Sequence, residues 1–561
     1  MSDTLKQRET DSRQLPALRF EPDAYSMNSS KIMGRQSAGF SFLKAIARSC
    51  SGRTVTGFGP KQNAEPVFGK LLRSLNPEVV PVWKSSSNLA AFQMIGAIHL
   101  PDPSISEHSR LRVRLGTNAY SITGLIHTIS SATATRMITD IPLAPLMPWD
   151  ALVLTSNAAK SAVLQLIGGQ EDYLKWKFKG ERPQRPEMPV IPLGVHCEEF
   201  NFTPEERQVA RNIIGLAEDE IAFLYLGRLS FHAKAHPFPM YAALEAAAQK
   251  TGKKIVLINC GWFANDFIAQ AFKDGAKKFC PSVRSFWLDG TKENERKAAW
   301  RSADVFVSLS DNIQETFGLT LTEAMAAGLP VIATDWDGYR DIVVHEETGF
   351  LVKTTMPGPR AGDDIALAYA VGSLDYDRYI GTVSQYVSVD FDQLIDFCIH
   401  LIKYPDVRKS MGEAGRKRVQ ANFDWTVVLG LYEKLWAFLR QRRLHAINDK
   451  APQLRGFMAD QMDPFQVYAD YPTTLMNNDI AVDLRALSLD LEELIKNPLF
   501  LMEQSGLDLD ITRKINKFLS SKEGATLSKV YEEIGEDRTQ VYRTIAILTK
   551  VGAIRLTSRK E

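Results

Sequence analysis

The chain of 561 residues is too long for one ordinary hydrophobic core, and at about 150 residues a domain it predicts three or four domains. Hydrophobic residues make up 45% of the chain and charged residues 24%, with 67 basic residues against 66 acidic ones. This composition excludes a disordered chain, a collagen-like repeat and a globally basic nucleic-acid scaffold.

Cysteine usage and the N-terminal sequence bear on location. The five scattered cysteines include no CxxC pair, which disfavours a disulfide framework and a cysteine zinc site and indicates a reducing compartment. The N-terminal segment MSDTLKQRETDSRQ lacks the apolar stretch of a signal peptide, and no apolar run reaches the length of about 20 residues that spans a membrane. We therefore expect a cytoplasmic protein, and a peripheral contact with the inner membrane stays open.

Strand and helix patterns alternate twice along the chain. After a polar lead-in over 1–30, short apolar runs separated by helical stretches predict a first lobe over 31–205. The same rhythm restarts and predicts a second lobe over 206–423. The predicted strands of the two lobes are TVTGFG (54–59), VVPVW (79–83), AFQMIGAIHL (91–100), ALVLTS (151–156), IAFLYLG (221–227), KIVLINCG (254–261), VRSFWLDG (283–290), ADVFVSLS (303–310) and PVIAT (330–334). The predicted fold is thus α/β, with two doubly wound Rossmann-like lobes.

The most informative stretch is DNIQETFGLTLTEAMAAGLPVIATDWDGYRDIV at 311–343. It follows an apolar strand, and TEAMAAG predicts a helix that ends at Gly328. Backbone amides between a strand and a helix N-terminus form an anion site, because unpaired N–H groups and the helix dipole both favour negative charge there. Glu315 and Glu323, eight residues apart, can face one crevice and hold sugar or ribose hydroxyls. For either residue alone, a helix cap or a solvated glutamate is the alternative.

This stretch resembles the signature of the GT-B retaining glycosyltransferases of family 4, E-x7-E followed by A-M-A-x-G-x-P-V-I. The matching residues are Glu315, Phe317, Gly318, Glu323, Ala324, Met325, Gly328, Pro330 and Val331. The resemblance implies that Glu315 binds hydroxyls of the donor sugar and that Glu323 holds the ribose. It also implies that the amides of Phe317, Gly318 and Leu319 meet the diphosphate or the sugar. The resemblance implies a nucleotide-diphosphate sugar as the donor, with either uridine or guanosine as its base.

The resemblance extends back to YLGRLSFHAKAHP at 225–237. There it implies that Arg228 and Lys234 neutralise the donor diphosphate, although the spacing between them is six residues rather than the usual five. Two fixed cations stabilise the growing charge of a leaving diphosphate without a metal. His232 and His236 have a metal-ligand spacing, but no third ligand accompanies them, which favours ordinary loop histidines. We expect that neither a cofactor nor a divalent ion is obligatory.

The first lobe matches the family more loosely. MGRQSAGFSFLKA (33–45) predicts a glycine-bearing loop that feeds a helix, with Gly39 and also Gly34 or Arg35 as candidates over the phosphates. An ordinary loop–helix junction without a binding role is an equally good interpretation of this segment. His127 lies where family members carry a histidine near the transferred sugar, and a structural histidine is the alternative. In all, the resemblance covers roughly residues 30–445, and it implies that the helix over 424–445 crosses back to the first lobe.

The implied reaction is transfer of a hexose to an acceptor hydroxyl with retained configuration. A double displacement would need a nucleophilic carboxylate beneath the anomeric carbon, and the sequence identifies none. We therefore expect diphosphate-assisted front-face transfer. A glycan, a lipid-linked or a small-molecule acceptor is favoured over nucleic acid. The alternatives are a regulator that only senses a nucleotide sugar, a nucleic-acid-associated protein that binds through the C-terminal segment, or a glycosyltransferase that acts on a nucleic-acid acceptor.

The last part of the chain has a different character. A mixed linker over 446–510 precedes a segment, 511–561, in which three short helices and a strand resemble a winged helix. This segment holds eleven basic and six acidic residues, a net charge of +5. Arg538, Gln540 and Arg543 are candidate contacts to a DNA major groove. Acidic residues just before them would repel phosphate, so protein docking or self-association is favoured over nucleic-acid binding.

Overall fold

The computed structural model describes residues 15–25, 34–60, 64–181, 183–448, 463–485 and 508–557. The chain divides into two compact units, Met1–Phe457 and Met458–Glu561. The first unit contains two lobes, each built on a six-stranded parallel sheet, and the second contains a small three-stranded sheet.

The sheet of the first lobe has the strand order β3-β2-β1-β4-β5-β6, with every pair parallel. Its strands are β1 (Ala17–Arg19), β2 (Thr54–Gly59), β3 (Val80–Ser85), β4 (Ala97–His99), β5 (Ser121–Leu125) and β6 (Ala151–Val153). The helices are α1 (Pro22–Tyr25), α2 (Gly34–Ser49), α3 (Ala64–Leu75), α4 (Leu89–Ile95), α5 (Ile105–Arg112), α6 (Ala132–Thr139) and α7 (Asn157–Phe178). Apolar side chains of these helices form two cores, which also bury the strand residues.

Two predictions for the first lobe are wrong. The expected polar lead-in over 1–30 contains β1, a central strand of the sheet, and Leu18 is buried there; residues 1–14 and 26–30 lie outside the described part of the chain. The expected strand over 91–100 is a helix and a strand, α4 and β4, separated by Gly96. Gly96 has φ +82°, a left-handed conformation that ends the helix and that glycine adopts without strain.

The sheet of the second lobe has the order β12-β11-β10-β7-β8-β9, again parallel throughout. Its strands are β7 (Ile221–Leu226), β8 (Ile255–Gly261), β9 (Arg284–Asp289), β10 (Val305–Ser308), β11 (Val331–Thr334) and β12 (Gly349–Val352), and β13 (Thr354–Thr355) pairs with β14 (Ser388–Val389). The helices are α8 (Pro204–Ile214), α9 (Phe238–Thr251), α10 (Asp266–Phe279), α11 (Glu293–Ser302), α12 (Leu319–Ala326), α13 (Tyr339–Ile342), α14 (Asp363–Ala370), α15 (Tyr376–Ser384), α16 (Phe391–Lys403) and α17 (Pro405–Asn422).

The α/β class and the two Rossmann-like lobes expected for a GT-B fold are confirmed. In both sheets the strand order reverses beside the first strand, between β1 and β4 and between β7 and β10. Ligands of such sheets bind outside the carboxyl ends of the strands at this reversal point. The loops that follow β7 and β10 are therefore where the second lobe is expected to carry its site.

A long helix, α18 (Trp425–Asn448), follows the second lobe but packs on the first. Its first residue, Trp425, donates from Nε1 to Ser41 Oγ of α2 at 2.6 Å and lies in the same core as Phe42. Gly194 makes room for this indole, since a Cβ there would lie 2.3 Å from the ring. The helix α18, at the end of the first unit, thus completes a hydrophobic core of the first lobe.

The second unit differs from the boundary expected at residue 511. Its elements are α19 (Pro464–Val467), β15 (Ala481–Leu484), α20 (Leu509–Leu519), β16 (Ala525–Thr526), α21 (Leu527–Ile534), α22 (Arg538–Lys550) and β17 (Ile554–Thr557). Residues 481–484, expected in a linker, form the middle strand of the antiparallel sheet β16-β15-β17. Buried Ile480 and Val482 belong to the core of this unit, so the small domain begins well before the three helices.

Candidate functional site

The site lies where β7 and β10 end. Arg228 and Lys234 follow β7, and Glu315 lies in the loop between β10 and α12. Lys234 Nζ and the Glu315 carboxylate form an ion pair, and both side chains are largely buried. The sequence stretches at 225–237 and 311–343 are therefore brought together, with a cation and an anion in direct contact.

Each member of the Lys234–Glu315 pair favours the ionised form of the other. Burial alone would raise the pKa of Glu315, but Lys234 and hydrogen bonds from the backbone N–H groups of Phe317 and Thr316 hold it below its usual value. Burial likewise opposes charge on Lys234, yet the Glu315 carboxylate raises the pKa of the lysine above its usual range. Both groups are thus ionised at neutral pH.

Arg228 lies beside this pair and is held by its own contacts. One of its Nη atoms donates to Gln314 Oε1 at 2.5 Å and to the carbonyl oxygen of Ala233 at 2.9 Å. Gln314 directly precedes Glu315 in the chain, so the guanidinium is fixed close to the carboxylate loop. Its remaining N–H donors give it capacity for further acceptors.

The N-terminus of α12 adjoins the same loop. Gly318 precedes the helix with φ +113°, and a Cβ there would lie 2.5 Å from the ring of Tyr339. Among the described residues, the amide N–H groups of Gly318 and Leu319 have no backbone acceptor. The Phe317 side chain is buried in the core and its amide lies on Glu315, so Gly318 and Leu319 offer the amides that an anion could use.

Glu323 lies one turn into α12 and is half-buried. Burial raises the pKa of its carboxyl to about 7, Arg296 opposes that rise, and Glu199 adds to it. No hydrogen-bond partner holds this carboxyl within the described part of the chain. Glu323 is thus separate from the ion pair and has acceptors available for a polar ligand.

Sequence reasoning missed Asp337, which lies beside Glu315. The next residue, Gly338, packs on the loop so closely that a Cβ would lie 2.6 Å from the Phe317 backbone. Asp337 itself has φ +47°, unusual for a residue other than glycine, and its Oδ2 is buried without a hydrogen-bond partner among the described atoms. Burial, and then the Glu315 carboxylate, raise the pKa of Asp337 to about 8. The only signal was an aspartate before a glycine within the quoted motif.

The first lobe closes on this loop through His127. The Thr316 hydroxyl donates to the carbonyl oxygen of His127 at 2.9 Å, and burial lowers the pKa of the imidazole to about 4. Thr155 Oγ1 donates to the Thr316 carbonyl at 3.0 Å, and the Asn157 amide donates to Asp341 at 2.7 Å. The structure therefore places a neutral histidine of the first lobe next to the loop that carries Glu315.

Gly39 does not occupy the predicted loop. It lies in the second turn of α2 and is buried, and a Cβ there would lie 2.7 Å from the carbonyl oxygen of Ala24. Close packing against α1 therefore explains this glycine. The neighbouring candidates Gly34 and Arg35 begin α2 and are exposed, and Arg35 is close enough to His127 to lower the pKa of the imidazole.

The two histidines with metal-ligand spacing have other surroundings. The His232 ring lies 3.2 Å from Ser230 Oγ, and the backbone N–H of His236 donates to Asp311 at 3.1 Å. The described ranges contain no group of three or more His, Cys, Asp or Glu side chains arranged to hold a metal ion. No helix within these described ranges is both long and apolar enough to cross a bilayer.

Part of the chain that contains the site is similar to a known protein family. Residues 206–359, about a quarter of the chain, match the family model of glycosyl transferases group 1. An uncharacterized glycosyltransferase of Methanocaldococcus jannaschii is 26% identical over 37% of this chain and 47% of its own length. A D-inositol 3-phosphate glycosyltransferase of a Nocardioides species is 31% identical over 31% of this chain and 39% of its own. The chain spans about half or less of the length of these curated relatives.

Solved structures are similar over more of the chain but at lower identity. A glycosyltransferase of Rickettsia africae aligns with 76% of this chain and 99% of its own, at 16% identity and a TM-score of 0.49. Anabaena HepE in complex with UDP-glucose aligns with 77% of this chain and 99% of its own, at 14% identity and a TM-score of 0.46. Independently of these structures, Arg228, Lys234, Glu315 and Glu323 all lie within residues 206–359, the segment that matches glycosyl transferases group 1.

Proposed function

We propose that this protein is a retaining glycosyltransferase of the family 4 type, which moves a hexose from a nucleotide-diphosphate sugar to an acceptor hydroxyl. One observation carries the proposal: the ionised Lys234–Glu315 pair lies beside Arg228 at the strand-order reversal of the second lobe. The match of residues 206–359 to glycosyl transferases group 1, and relatives that are named glycosyltransferases, favour sugar transfer over other uses of such a site.

Each group has a role in donor binding. Glu315, kept ionised, accepts hydrogen bonds from hydroxyls of the donor sugar, because a carboxylate is a strong acceptor. Glu323 accepts from the ribose. The amides of Gly318 and Leu319 and the side chains of Arg228 and Lys234 bind the diphosphate, which suits a helix N-terminus and two cations. The nucleotide base of the proposed donor is uridine or guanosine.

The cations also act on the leaving group. As the anomeric bond breaks, negative charge grows on the diphosphate, and fixed cations lower the barrier by stabilising that charge. Lys234 has three N–H donors, so it can keep Glu315 and still reach a phosphate oxygen. The acceptor hydroxyl then attacks from the face that the diphosphate leaves, with a diphosphate oxygen taking its proton. His127 of the first lobe, whose carbonyl oxygen accepts from Thr316 and whose imidazole burial keeps neutral, takes the position near the transferred sugar in this proposal.

A nucleotide-release screen tests the proposal. The full chain is incubated with UDP- and GDP-sugars, with and without acceptors, and free nucleotide is measured. We expect release from at least one donor and its loss in Glu315→Gln. The exposed Glu346→Gln is the matched control and should release nucleotide at the wild-type rate. If no donor yields nucleotide, the chain is not a transferase and the sensing alternative takes its place.

For the second unit we propose a winged-helix-like module that docks a protein or self-associates. Arg538, one of the three candidates for base contact, donates to Asn478 Oδ1 at 2.6 Å, and its guanidinium lies 4.9 Å from the centre of the Tyr531 ring. A guanidinium held in this way is less available to a base edge. Salt-sensitive DNA binding that is lost in Arg543→Ala, an exposed residue of α22, would argue against docking.

We also propose a cytoplasmic location, supported by the five cysteines, which are all free thiols. A cysteine alkylation assay on protein isolated from cells tests this point. We expect all five thiols to react after unfolding without prior reduction, whereas protection by a disulfide would contradict the location.

A further inference from the structure

The C-terminal end of α7 extends beyond the body of the first lobe. Its last anchored residue is Glu171, whose side chain is fully buried and pairs with Arg185 through Nε at 2.6 Å and Nη2 at 2.5 Å. From residue 172 to 179 every residue is exposed except Leu174, which is half-buried. The helix end is therefore surrounded by solvent on nearly all sides.

Three aromatic side chains cover this helix end, which we name the α7 tip (residues 173–179). Trp176 is 75% exposed, Phe178 67% and Tyr173 47%. The ring centres of Tyr173 and Trp176 lie 6.0 Å apart, so these two rings adjoin. Single exposed apolar side chains are ordinary, but adjoining exposed aromatics on a projecting helix end indicate a contact surface.

Lysines alternate with these aromatics. Lys177 Nζ lies 5.8 Å from the centre of the Tyr173 ring and 5.6 Å from that of Phe178, and Lys175 and Lys179 are exposed. Positive charge at a helix C-terminus stabilises the helix dipole, which accounts for the lysines alone. It does not account for a tryptophan and a phenylalanine left in water between them.

We infer that the α7 tip docks on the surface of an anionic lipid bilayer. Aromatic rings favour the interface between headgroups and acyl chains, where their apolar faces leave water. Lysine side chains extend along such a surface, bury their methylene stems and hold their ammonium groups at the anionic headgroups. Because the Lys177 ammonium lies over the Tyr173 ring, burial of an aromatic face and attraction to an anionic headgroup can occur at the same place on the membrane. The inference does not rest on the proposed transferase activity.

Vesicle flotation with the full chain tests the inference. Vesicles of phosphatidylcholine alone are compared with vesicles that also contain phosphatidylglycerol. We expect binding to the anionic vesicles, weakened by salt. Trp176→Ala should release most of the bound protein, and Lys175→Gln and Lys177→Gln should each weaken partitioning roughly fivefold. The matched control is Phe267→Ala, which removes an equally exposed ring (75%) from the start of α10 and should leave binding unchanged.

The outcomes separate the candidates. Binding that depends on phosphatidylglycerol and on Trp176 supports the inference. Absence of vesicle binding, equal binding to both vesicle types, or undiminished binding of Trp176→Ala overturns it. So does binding to heparin in place of anionic vesicles, because a polyanion contact needs no inserted ring. Because Trp176 is exposed, thermal unfolding of its variant should match the wild type, which excludes misfolding as the cause of lost binding.

Discussion

The hydroxyl of Thr155 donates a hydrogen bond to the carbonyl oxygen of Thr316 across the cleft between the lobes, at 3.0 Å. Thr316 follows Glu315 directly, so the first lobe holds the loop that carries the proposed sugar-binding carboxylate. In turn, the Thr316 hydroxyl donates a hydrogen bond to the carbonyl oxygen of His127 in the first lobe. The position of Glu315 therefore depends on residues of both lobes.

Removal of this contact should loosen the site without unfolding the protein. In Thr155→Val we expect the KM for the donor to rise several-fold, since the lost hydrogen bond contributes about 1 kcal/mol. Steady-state kinetics with the donor found in the nucleotide-release screen measure this change. Thr139→Val is the control, because the Thr139 hydroxyl bonds only within its own helix. An unchanged KM in Thr155→Val would show that the lobes hold Glu315 by other means.

Lys234→Ala should affect both stability and turnover. The variant leaves the largely buried Glu315 carboxylate without its cation, which we expect to cost about 3 kcal/mol in unfolding free energy. Loss of a cation at the leaving diphosphate should lower kcat by about a hundredfold or more. Lys254→Ala, which breaks the exposed pair with Asp219, should leave the unfolding free energy nearly unchanged. Equal losses in the two variants, measured by urea unfolding, would contradict this account.

Gly318→Ala should destabilise the second lobe. Its φ of +113° strains any residue with a Cβ, and the added carbon would lie 2.5 Å from the Tyr339 ring. We expect a loss of about 2–3 kcal/mol in unfolding free energy. Gly215→Ala separates the two causes, because Gly215 has φ +79° but nothing within 4 Å of its Cβ position. That control should lose only about 1 kcal/mol; a larger loss than in Gly318→Ala would exclude the ring contact as a cause.

Asp337 should make stability depend on pH. Its pKa is raised to about 8 by burial and by Glu315, so between about pH 4 and pH 8 the folded chain keeps a proton that the unfolded chain has released. The unfolding free energy should therefore fall as pH rises through this window. Asp337→Asn removes the titration, and asparagine tolerates the left-handed conformation. Urea unfolding across this range should show a shallower decline for the variant; parallel declines would refute the assignment.

The boundary of the second unit can be tested with two fragments. A fragment over 458–561 contains β15 and should unfold cooperatively, because Ile480 and Val482 complete its core. A fragment over 508–561 lacks the middle strand of the sheet and should not. Circular dichroism during heating distinguishes them. Equal melting of both fragments would mean that β15 adds nothing to this core.

Five of the six strands of the second sheet were predicted, because they are apolar runs, as in IAFLYL and IVLINC. The sixth, β12, was not predicted. The first lobe was predicted less well, since β1 has only three residues and α4 and β4 share one apolar run divided only by Gly96. A short strand or helix contains too few residues to show the alternation of apolar and polar residues from which it would be predicted. β15 was missed for the same reason, because a four-residue strand was read as part of a linker.

For the site, the motif predicted which residues gather at one end of the second sheet, but not their contacts. Nothing in the spacing of Lys234 and Glu315 indicates that they form an ion pair, since that depends on how the loop after β7 folds towards the loop after β10. Gly39 misled because sequence alone does not distinguish a glycine for close helix packing from one over a phosphate. Asp337 was overlooked because only the backbone shows its left-handed conformation.

The return of α18 to the first lobe also affects the order in which the protein is made. Trp425, Tyr432 and Trp436 belong to the hydrophobic core of the first lobe, yet they are synthesised after the entire second lobe. The first lobe therefore leaves the ribosome with part of its core uncovered, while all strands of the second sheet and the helices α8–α17 come from one continuous segment. We expect the second lobe to reach its stable fold first during translation, against the usual order from the N-terminus. A chain truncated after α17 lacks α18 and therefore exposes the apolar surface of the first lobe that α18 covers. The nascent chain exposes the same surface until α18 has been synthesised, and this surface is prone to aggregation during that time.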